Sequence, residues 1–387
     1  MKSKSSGRTA IFMKFLSWVL MVCMLLCASA PFVHPKQFWF MGFLSLLFPY
    51  TFVIVFLLLL YWVFKRSIFF IYPLLSLALC LYSFQFNFAL HQPEVFKKEK
   101  SPEVLRLMSW NIRHFIPYNE SSFKPVNHDQ IAKVFEAISS YEPDVICFQE
   151  FISLPDQKEK NPFQAMKKKF QYAFHQFDGS DIFQSNQYSG TAIFSKYPII
   201  RGGTVPFPHQ DADNTEATVY ADIVKGKDTV RVYSIHLQSF GFGNREYKIL
   251  GTVKNDREDV RESKYLIKKM KKTFETHGAQ ADFLSQILEE SPHPTIVAGD
   301  LNDVPGSYAY KSVRAQRKDA FLEKGFFLGS TFTSSFSFLL KTIPTLRIDY
   351  IFHPATFSTV QFKRGGAGIS DHFFLLADIQ FPHNEGF

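Results

Sequence analysis

The chain has 387 residues, of which 46% are hydrophobic, enough for a sizeable core in one large or two modest domains. Its formal net charge of +8 is carried by residues 1–100, where ten Lys or Arg face only Glu94 and Glu99; the rest of the chain holds 33 basic and 33 acidic side chains. The basic balance therefore excludes any argument that the C-terminal part binds nucleic acid through its overall charge.

The first hundred residues read as membrane. Phe15–Val33, Phe38–Phe64 and Ser67–Leu90 are uncharged, mostly apolar stretches, each near or above the roughly 20 residues that cross a bilayer. This gives a transmembrane region over residues 1–100, with spans at about 11–33, 38–64 and 67–90, and a second domain over residues 101–387. Pro49 and Pro73 lie inside the second and third spans, where neighbouring helices can satisfy the freed carbonyls. Lys2, Lys4, Arg8 and Lys14 before the first span, and the Lys65-Arg66 connection, favour the cytoplasmic face, so residues after 90 are expected on the extracytoplasmic side of a multi-pass protein. Lys97, Lys98 and Lys100 run against that assignment. Ala28-Ser29-Ala30 offers a signal-peptide cleavage site, but Pro31 directly after it argues against cleavage.

Three of the four cysteines lie in the spans and Cys147 sits in an apolar run, so neither a disulfide framework nor a cysteine metal site is visible. Any bound metal must be held by oxygen or imidazole.

From about Glu103 short apolar runs alternate with helical patterns, as in an α/β domain. Strands are expected at Val104–Ser109, Asp144–Phe148, Thr191–Phe194, Val219–Val224, Thr229–Ile235, Thr295–Ala298, Ile348–Phe352 and Phe373–Ile379. A helix carries Ile131, Val134, Phe135 and Ile138 on one face and closes at Glu142-Pro143. A long basic helix spans about Arg261 to Glu290, with a break expected near Gly278.

Polar residues suited to phosphate and metal chemistry sit at the ends of these runs: Asn111, Glu150 closing its strand, His236, Asp300 with Asn302, and Asp349; Asp371-His372 instead opens a strand. Each alone has a structural explanation as a cap, a turn or a surface charge. Their joint occurrence points to a site built on loops that a buried scaffold holds in place.

Ser-Trp-Asn-Ile-Arg, Asp-Val-Ile-Cys-Phe-Gln-Glu, Ser-Gly-Thr-Ala-Ile-Phe-Ser-Lys-Tyr-Pro-Ile, Ser-Ile-His-Leu-Gln, Ala-Gly-Asp-Leu-Asn-Asp, Arg-Ile-Asp-Tyr-Ile-Phe and Ser-Asp-His stand in an order that resembles the endonuclease/exonuclease/phosphatase superfamily, whose fold is like that of deoxyribonuclease I. The resemblance covers roughly residues 103 to 382. It implies a four-layer α/β sandwich, two mixed and mainly antiparallel sheets flanked by helices, here preceded by the transmembrane helical region. It also implies divalent-metal-dependent phosphoester hydrolysis with Mg2+, or Mn2+ in its place. By this resemblance Glu150 is the main metal ligand, with Asn111 beside the metal and the scissile phosphate and Asp371 contributing to the metal or its water shell. Asp300 positions or deprotonates the attacking water, Asn302 orients Asp300 or the phosphate, His236 and His372 donate to phosphate oxygens, and Asp349 fixes the tautomer of His372.

Arg113 stands where abasic-site nucleases of the family often carry an aspartate, which argues against abasic DNA; it is assigned to phosphate or substrate binding. Phe373 and Phe374 follow Ser-Asp-His where many members have a proline, and Thr331–Leu346 matches no motif, being either a substrate-facing loop or packing. The substrate is a phosphodiester or phosphomonoester. A nuclease-type enzyme ranks first, a lipid or inositol-phosphate phosphodiesterase or phosphatase of sphingomyelinase-like type is the alternative, and a non-catalytic binding module ranks last. The Lys268–Lys272 run supports the first reading, and the bilayer tether with Phe240 and Phe242 supports the second. No protein partner is implied.

Overall fold

A computed structural model describes residues 2–117, 127–156, 161–179, 181–184, 187–208, 217–243, 245–246, 249, 257–333 and 345–382. Two long apolar helices, α1 (Lys2–Ser29) and α2 (Met41–Phe64), lie together at the N-terminus, and both are long and apolar enough to cross a membrane. Met21, Met24, Cys27, Phe48 and Val55 form their shared core, and Trp62 donates its indole N–H to Ser17 Oγ across the pair at 3.0 Å. Their outer faces expose Phe12, Phe15, Phe56 and Leu57, surface that water disfavours and lipid accepts.

The third apolar stretch is not one straight span. It forms α3 (Ile71–Leu79) and α4 (Leu81–Asn87), bent by 59° at Cys80. The bend brings α4 onto the second domain: the Phe86 ring joins a core that includes Tyr233, Leu284 and Tyr310, and its carbonyl accepts from Arg347 Nη2 at 2.8 Å.

The second domain begins after a short strand, β1 (Ala89–Leu90). Its first sheet uses β2 (Val104–Asn111), β3 (Val145–Ser153), β4 (Phe174–Phe177), β5 (Asp181–Gln184) and β6 (Gln187–Ser195), completed by two strands from the chain's end. Between β2 and β3 runs α5 (His128–Tyr141), capped by Asn127 Oδ1 accepting from Asp129 N at 2.9 Å and ended by Glu142 in the left-handed region. The expected burial face, Ile131, Val134, Phe135 and Ile138, packs on the outside of this sheet with Met108, Ile146 and Phe148. A short helix, α6 (Pro162–Lys169), adds Met166 to the same layer.

The second sheet starts with β7 (Ile199–Pro206), β8 (Ala217–Lys225) and β9 (Asp228–His236). There follows α7 (Arg257–Glu289), which runs unbroken through Gly278. The glycine serves close approach instead of a break, since a Cβ there would meet Pro35 and His34 at 2.9 and 3.0 Å. Next come β10 (Thr295–Asp300), α8 (Tyr308–Arg314), β11 (Lys318–Asp319), α9 (Ala320–Lys324), β12 (Phe326–Phe327), β13 (Asp349–His353), β14 (Ser358–Gly365) and β15 (Phe374–Gln380). The strand orders are β14-β15-β2-β3-β6-β4, with β5 also paired to β6, and β11-β13-β10-β9-β8-β7. β2 and β3 pair in parallel, as do β9 and β10; the other pairs in the two sheets are antiparallel.

The sheets face each other across Leu105, Leu107, Val145 and Cys147 on one side and Val230, Val232, Ile296, Ala298 and Ile351 on the other. The period of two in a strand then decides where the polar ends point. Continuing Leu105-Leu107 two residues at a time reaches Asn111; Val230-Val232 reaches His236; Ile296-Ala298 reaches Asp300; and Ile351 stepped backward reaches Asp349. All four lie between the sheets at one end of the sandwich, where Asp300 is in register with both His236 and Asp349.

A buried arginine joins the two halves. Arg347 gives Nη1 to Asp319 Oδ2 at 2.5 Å while Nη2 holds the Phe86 carbonyl, and both charged side chains are essentially fully buried. Arg347→Met should lower stability by about 3–5 kcal/mol, because it strands the Asp319 charge in the interior. Chemical denaturation in detergent checks this, and the double variant Arg347→Met/Asp319→Leu should recover much of the loss.

Candidate active site

The inter-sheet end of the sandwich opens into a cleft of about 470 Å3. Its floor carries Asn111, Glu150, Asp300, Asn302, Asp371 and His372, six of the residues expected from the sequence. His236 reaches the same place, its Nε2 lying 3.8 Å from both Glu150 Oε1 and Asp300 Oδ2.

Glu150 does not end its strand. β3 continues to Ser153 past an irregularity in its pairing with β6 between Phe148 and Phe151, and Glu150 sits there with φ +53°. A bulge of this kind re-aims a side chain at a cost in backbone strain, and here it places the carboxylate in the cleft. Asn111 Nδ2 donates to Glu150 Oε1 at 3.1 Å and lies 3.2 Å from Asp300 Oδ2, so a single amide spans both carboxylates.

Asp300 is completely buried. Its Oδ1 accepts the backbone N–H of Asn302 at 2.7 Å, a turn that needs Asn302 at φ +49°, and Asn302 Nδ2 is anchored on the Leu237 carbonyl at 2.9 Å. The Asn302 backbone N–H thus fixes one oxygen of the acid. His372 Nδ1 lies 3.0 Å from Asp349 Oδ2 and 3.6 Å from Asp300 Oδ2. Assigning the Nδ1 proton to the Asp349 bond leaves Nε2 to serve the cleft.

These neighbours separate the charge states of the site. Burial pushes the Asp300 carboxyl up to about 8, with Asp349 adding to the rise and His372 opposing it. Burial disfavours the His372 imidazolium, yet Asp349 and Asp300 outweigh it and hold its pKa well above the ordinary histidine range. Burial takes His236 the other way, down to about 4, so the two histidines differ in charge at neutral pH. Although burial alone would raise Glu150, His114, His236 and the Asn111 bond keep it ionised far below the usual carboxylate range. Burial raises Asp371 despite the nearby His372 and Arg113.

Arg113 lines the cleft with its Nε 3.3 Å from Asp371 Oδ2, so part of its charge is answered within the protein. Two further residues were not foreseen. His114, at φ +54°, brings Nδ1 to 3.0 Å from Glu150 Oε2. Thr331 Oγ1 accepts from the backbone N–H groups of Ile348 and Asp349, at 2.9 and 3.0 Å, and fixes the strand start that presents Asp349. Its neighbour Phe332 sets its ring edge-on to His372 at 5.0 Å. Residues 334–344 of the unassigned stretch Thr331–Leu346 lie outside the described residues.

Two groups of side chains could hold a cation. Asp300, Asp349 and His372 offer three ligand atoms within 4.8 Å of one another. That geometry is equally that of two carboxylates gathered at one imidazolium N–H, and a protonated His372 has no lone pair to give a metal. Glu150 and Asn111, with Asp371 on the same floor, supply the hard oxygen donors that Mg2+ or Mn2+ takes, and the persistent ionisation of Glu150 suits that role.

Residues 108–372 match the Endonuclease/Exonuclease/phosphatase family, and the chain belongs to that family. Residues 10–86 match a domain of unknown function, DUF8431. No curated protein matches the chain. Among solved structures, the fold is similar to an endonuclease/exonuclease/phosphatase from Beutenbergia cavernae, at 21% identity and TM-score 0.51, covering 72% of each chain. It is also similar to a family protein from Leptotrichia buccalis, at 16% identity and TM-score 0.52, covering 72% of this chain and 100% of that one.

Thr331→Val removes the acceptor of two buried N–H groups and should cost about 1–3 kcal/mol together with a fall in kcat, whereas Thr331→Ser should retain both. Thermal unfolding and steady-state kinetics of the two variants check this.

Proposed function

We propose that this chain is a divalent-cation-dependent phosphoester hydrolase held at a membrane by α1 and α2. The supporting observation is the convergence of Asn111, Glu150, His236, Asp300, Asp349 and His372, drawn from both sheets, on one cleft floor. Glu150 and Asn111, with Asp371, would hold Mg2+, which when bound neutralises phosphate charge and lowers the pKa of neighbouring groups.

The protein's own groups divide the remaining work. Asp300 takes a proton from the attacking water, a task suited to a carboxyl whose pKa lies near the operating pH, and Asn302 keeps its lone pair aimed. His372, charged and held by Asp349, donates to the phosphoryl oxygens as negative charge builds on them. His236 is neutral and donates from its Nε2, which reaches the same floor. Arg113 adds a cation at the cleft wall, tempered by Asp371.

A polynucleotide substrate is less well supported. Lys269 Nζ bonds Glu246 Oε1 at 2.9 Å and Lys271 lies 3.7 Å from Glu275, so these lysines of the Lys268–Lys272 run already have acidic partners. The domain also carries balanced charge, whereas phosphate-tracking surfaces are basic. The second domain meets the N-terminal helices through His34, Pro35, Gly42, Phe43 and Phe86, residues at the end of the bundle away from Lys65-Arg66. With the positive residues on the cytoplasmic face, the cleft lies outside.

Hydrolysis of bis-p-nitrophenyl phosphate by the purified full-length protein should require Mg2+, vanish in EDTA and return when Mg2+ is restored. Asp300→Asn should lower kcat roughly a hundredfold or more. Turnover indifferent to EDTA, or undiminished in Asp300→Asn, contradicts this reading.

A further inference from the structure

The cleft does not belong to the catalytic domain alone. Phe43 and Leu46 of α2 line the same cavity as Glu150, Asp300 and His372, together with Phe240, Phe242, Met270 and Phe274. Beyond the charged floor the lining is therefore hydrocarbon supplied by both halves of the chain. Phe240 packs edge-on against Phe274 at 5.3 Å, and Phe274 meets Phe43 at 5.3 Å, so aromatic contacts run from the loop after β9 to α2.

This wall is fixed in place. A Cβ on Gly42 would stand 2.4 Å from the Phe274 ring, so the helix approaches α7 as closely as glycine permits. Tyr50 Oη lies 3.1 Å from Thr345 Oγ1 further along α2, and the Arg347–Phe86 bond holds α4 to the same domain.

The depth of the wall matters as well. With 24 residues, α2 is about 36 Å long, somewhat more than the roughly 30 Å of bilayer hydrocarbon. Phe43 and Leu46 fall in its first two turns, next to Trp39 and Phe40, aromatic side chains of the sort that settle at the headgroup level. A phosphate on the cleft floor would then lie near the headgroups, with the apolar wall beginning where acyl chains begin.

We infer that α2 forms part of the substrate site, and that the substrate is the phosphoester of an amphiphile whose hydrocarbon chain lies along Phe43, Leu46 and Phe240. This rests on the phosphoester-hydrolase reading above and specifies its substrate. In the reaction the water oxygen forms a new P–O bond and its proton passes to Asp300. The ester P–O bond breaks, and the leaving oxygen departs with the bonding electron pair and takes up a proton from solvent. No oxidant or second substrate is needed.

The test uses the full-length protein in detergent with Mg2+ and the butyl, octyl and dodecyl monoesters of p-nitrophenyl phosphate. In the wild type, kcat/KM should rise about tenfold or more from butyl to dodecyl, chiefly through KM, as buried methylenes accumulate. Leu46→Ala from the helix wall and Phe240→Ala from the domain wall should each flatten that rise several-fold. Leu57→Ala, which trims an exposed lipid-facing side chain of the same helix, should leave the rise intact. A wild type that cleaves all three esters equally overturns this inference and leaves the hydrolase reading standing; one that cleaves none overturns both. An unchanged chain-length dependence in both wall variants, or an equal flattening by Leu57→Ala, also overturns it.

Discussion

The structure turns on one costly arrangement, a fully buried carboxylate, Asp300, with a second, Asp349, at the same imidazole nitrogen. Burial and the neighbouring Asp349 raise the pKa of Asp300, and the His372 Nδ1 beside both carboxylates is what makes their proximity tolerable. The chain surrounds this arrangement with fixed hydrogen-bond partners: the Asn302 N–H on one oxygen, the Asn111 amide by the other, and Thr331 Oγ1 accepting from the backbone that carries Asp349. Left-handed backbone at Glu150, Asn302, Arg113 and His114 is concentrated around the same cleft. Such strain persists only where the surrounding packing compels it, and here the two sheets supply that packing.

Much of this was legible in the sequence because strands alternate. Once Leu105-Leu107, Val230-Val232 and Ile296-Ala298 are assigned to the core, Asn111, His236 and Asp300 must face the same space, and the resemblance to a known family supplied their roles. What alternation cannot show is a bulge, so Glu150 reads as a strand end although its strand runs on to Ser153. Gly278 suggests a helix break because glycine weakens a helix by about 1 kcal/mol, yet there the need for close contact with Pro35 prevails. The third apolar stretch has the composition of a span, but its bend follows from contacts of Phe86 with residues more than two hundred positions away. For the same reason the apolar wall was hidden. Phe240 and Phe242 read as membrane-facing or core, and they instead line a cleft whose other side comes from α2.

The two halves of the molecule thus have connected purposes. The N-terminal helices are continuous with the sandwich, since α2 packs against α7 without room for a side chain at Gly42 and completes the cavity that the sandwich begins. A floor proposed to stabilise developing negative charge and an apolar wall proposed to bury hydrocarbon make different demands on solvent, and a membrane surface would supply each with the medium it needs.

The proposed chemistry divides the cleft floor: Glu150 would receive the cation, while Asp300, His372 and Asp349 would handle the proton. Anomalous scattering from crystals grown with Mn2+ distinguishes the two groups. A peak is expected at coordination distance from the Glu150 carboxylate, lost in Glu150→Gln with the fold preserved. A peak seated among Asp300, Asp349 and His372, with none at Glu150, would contradict this division.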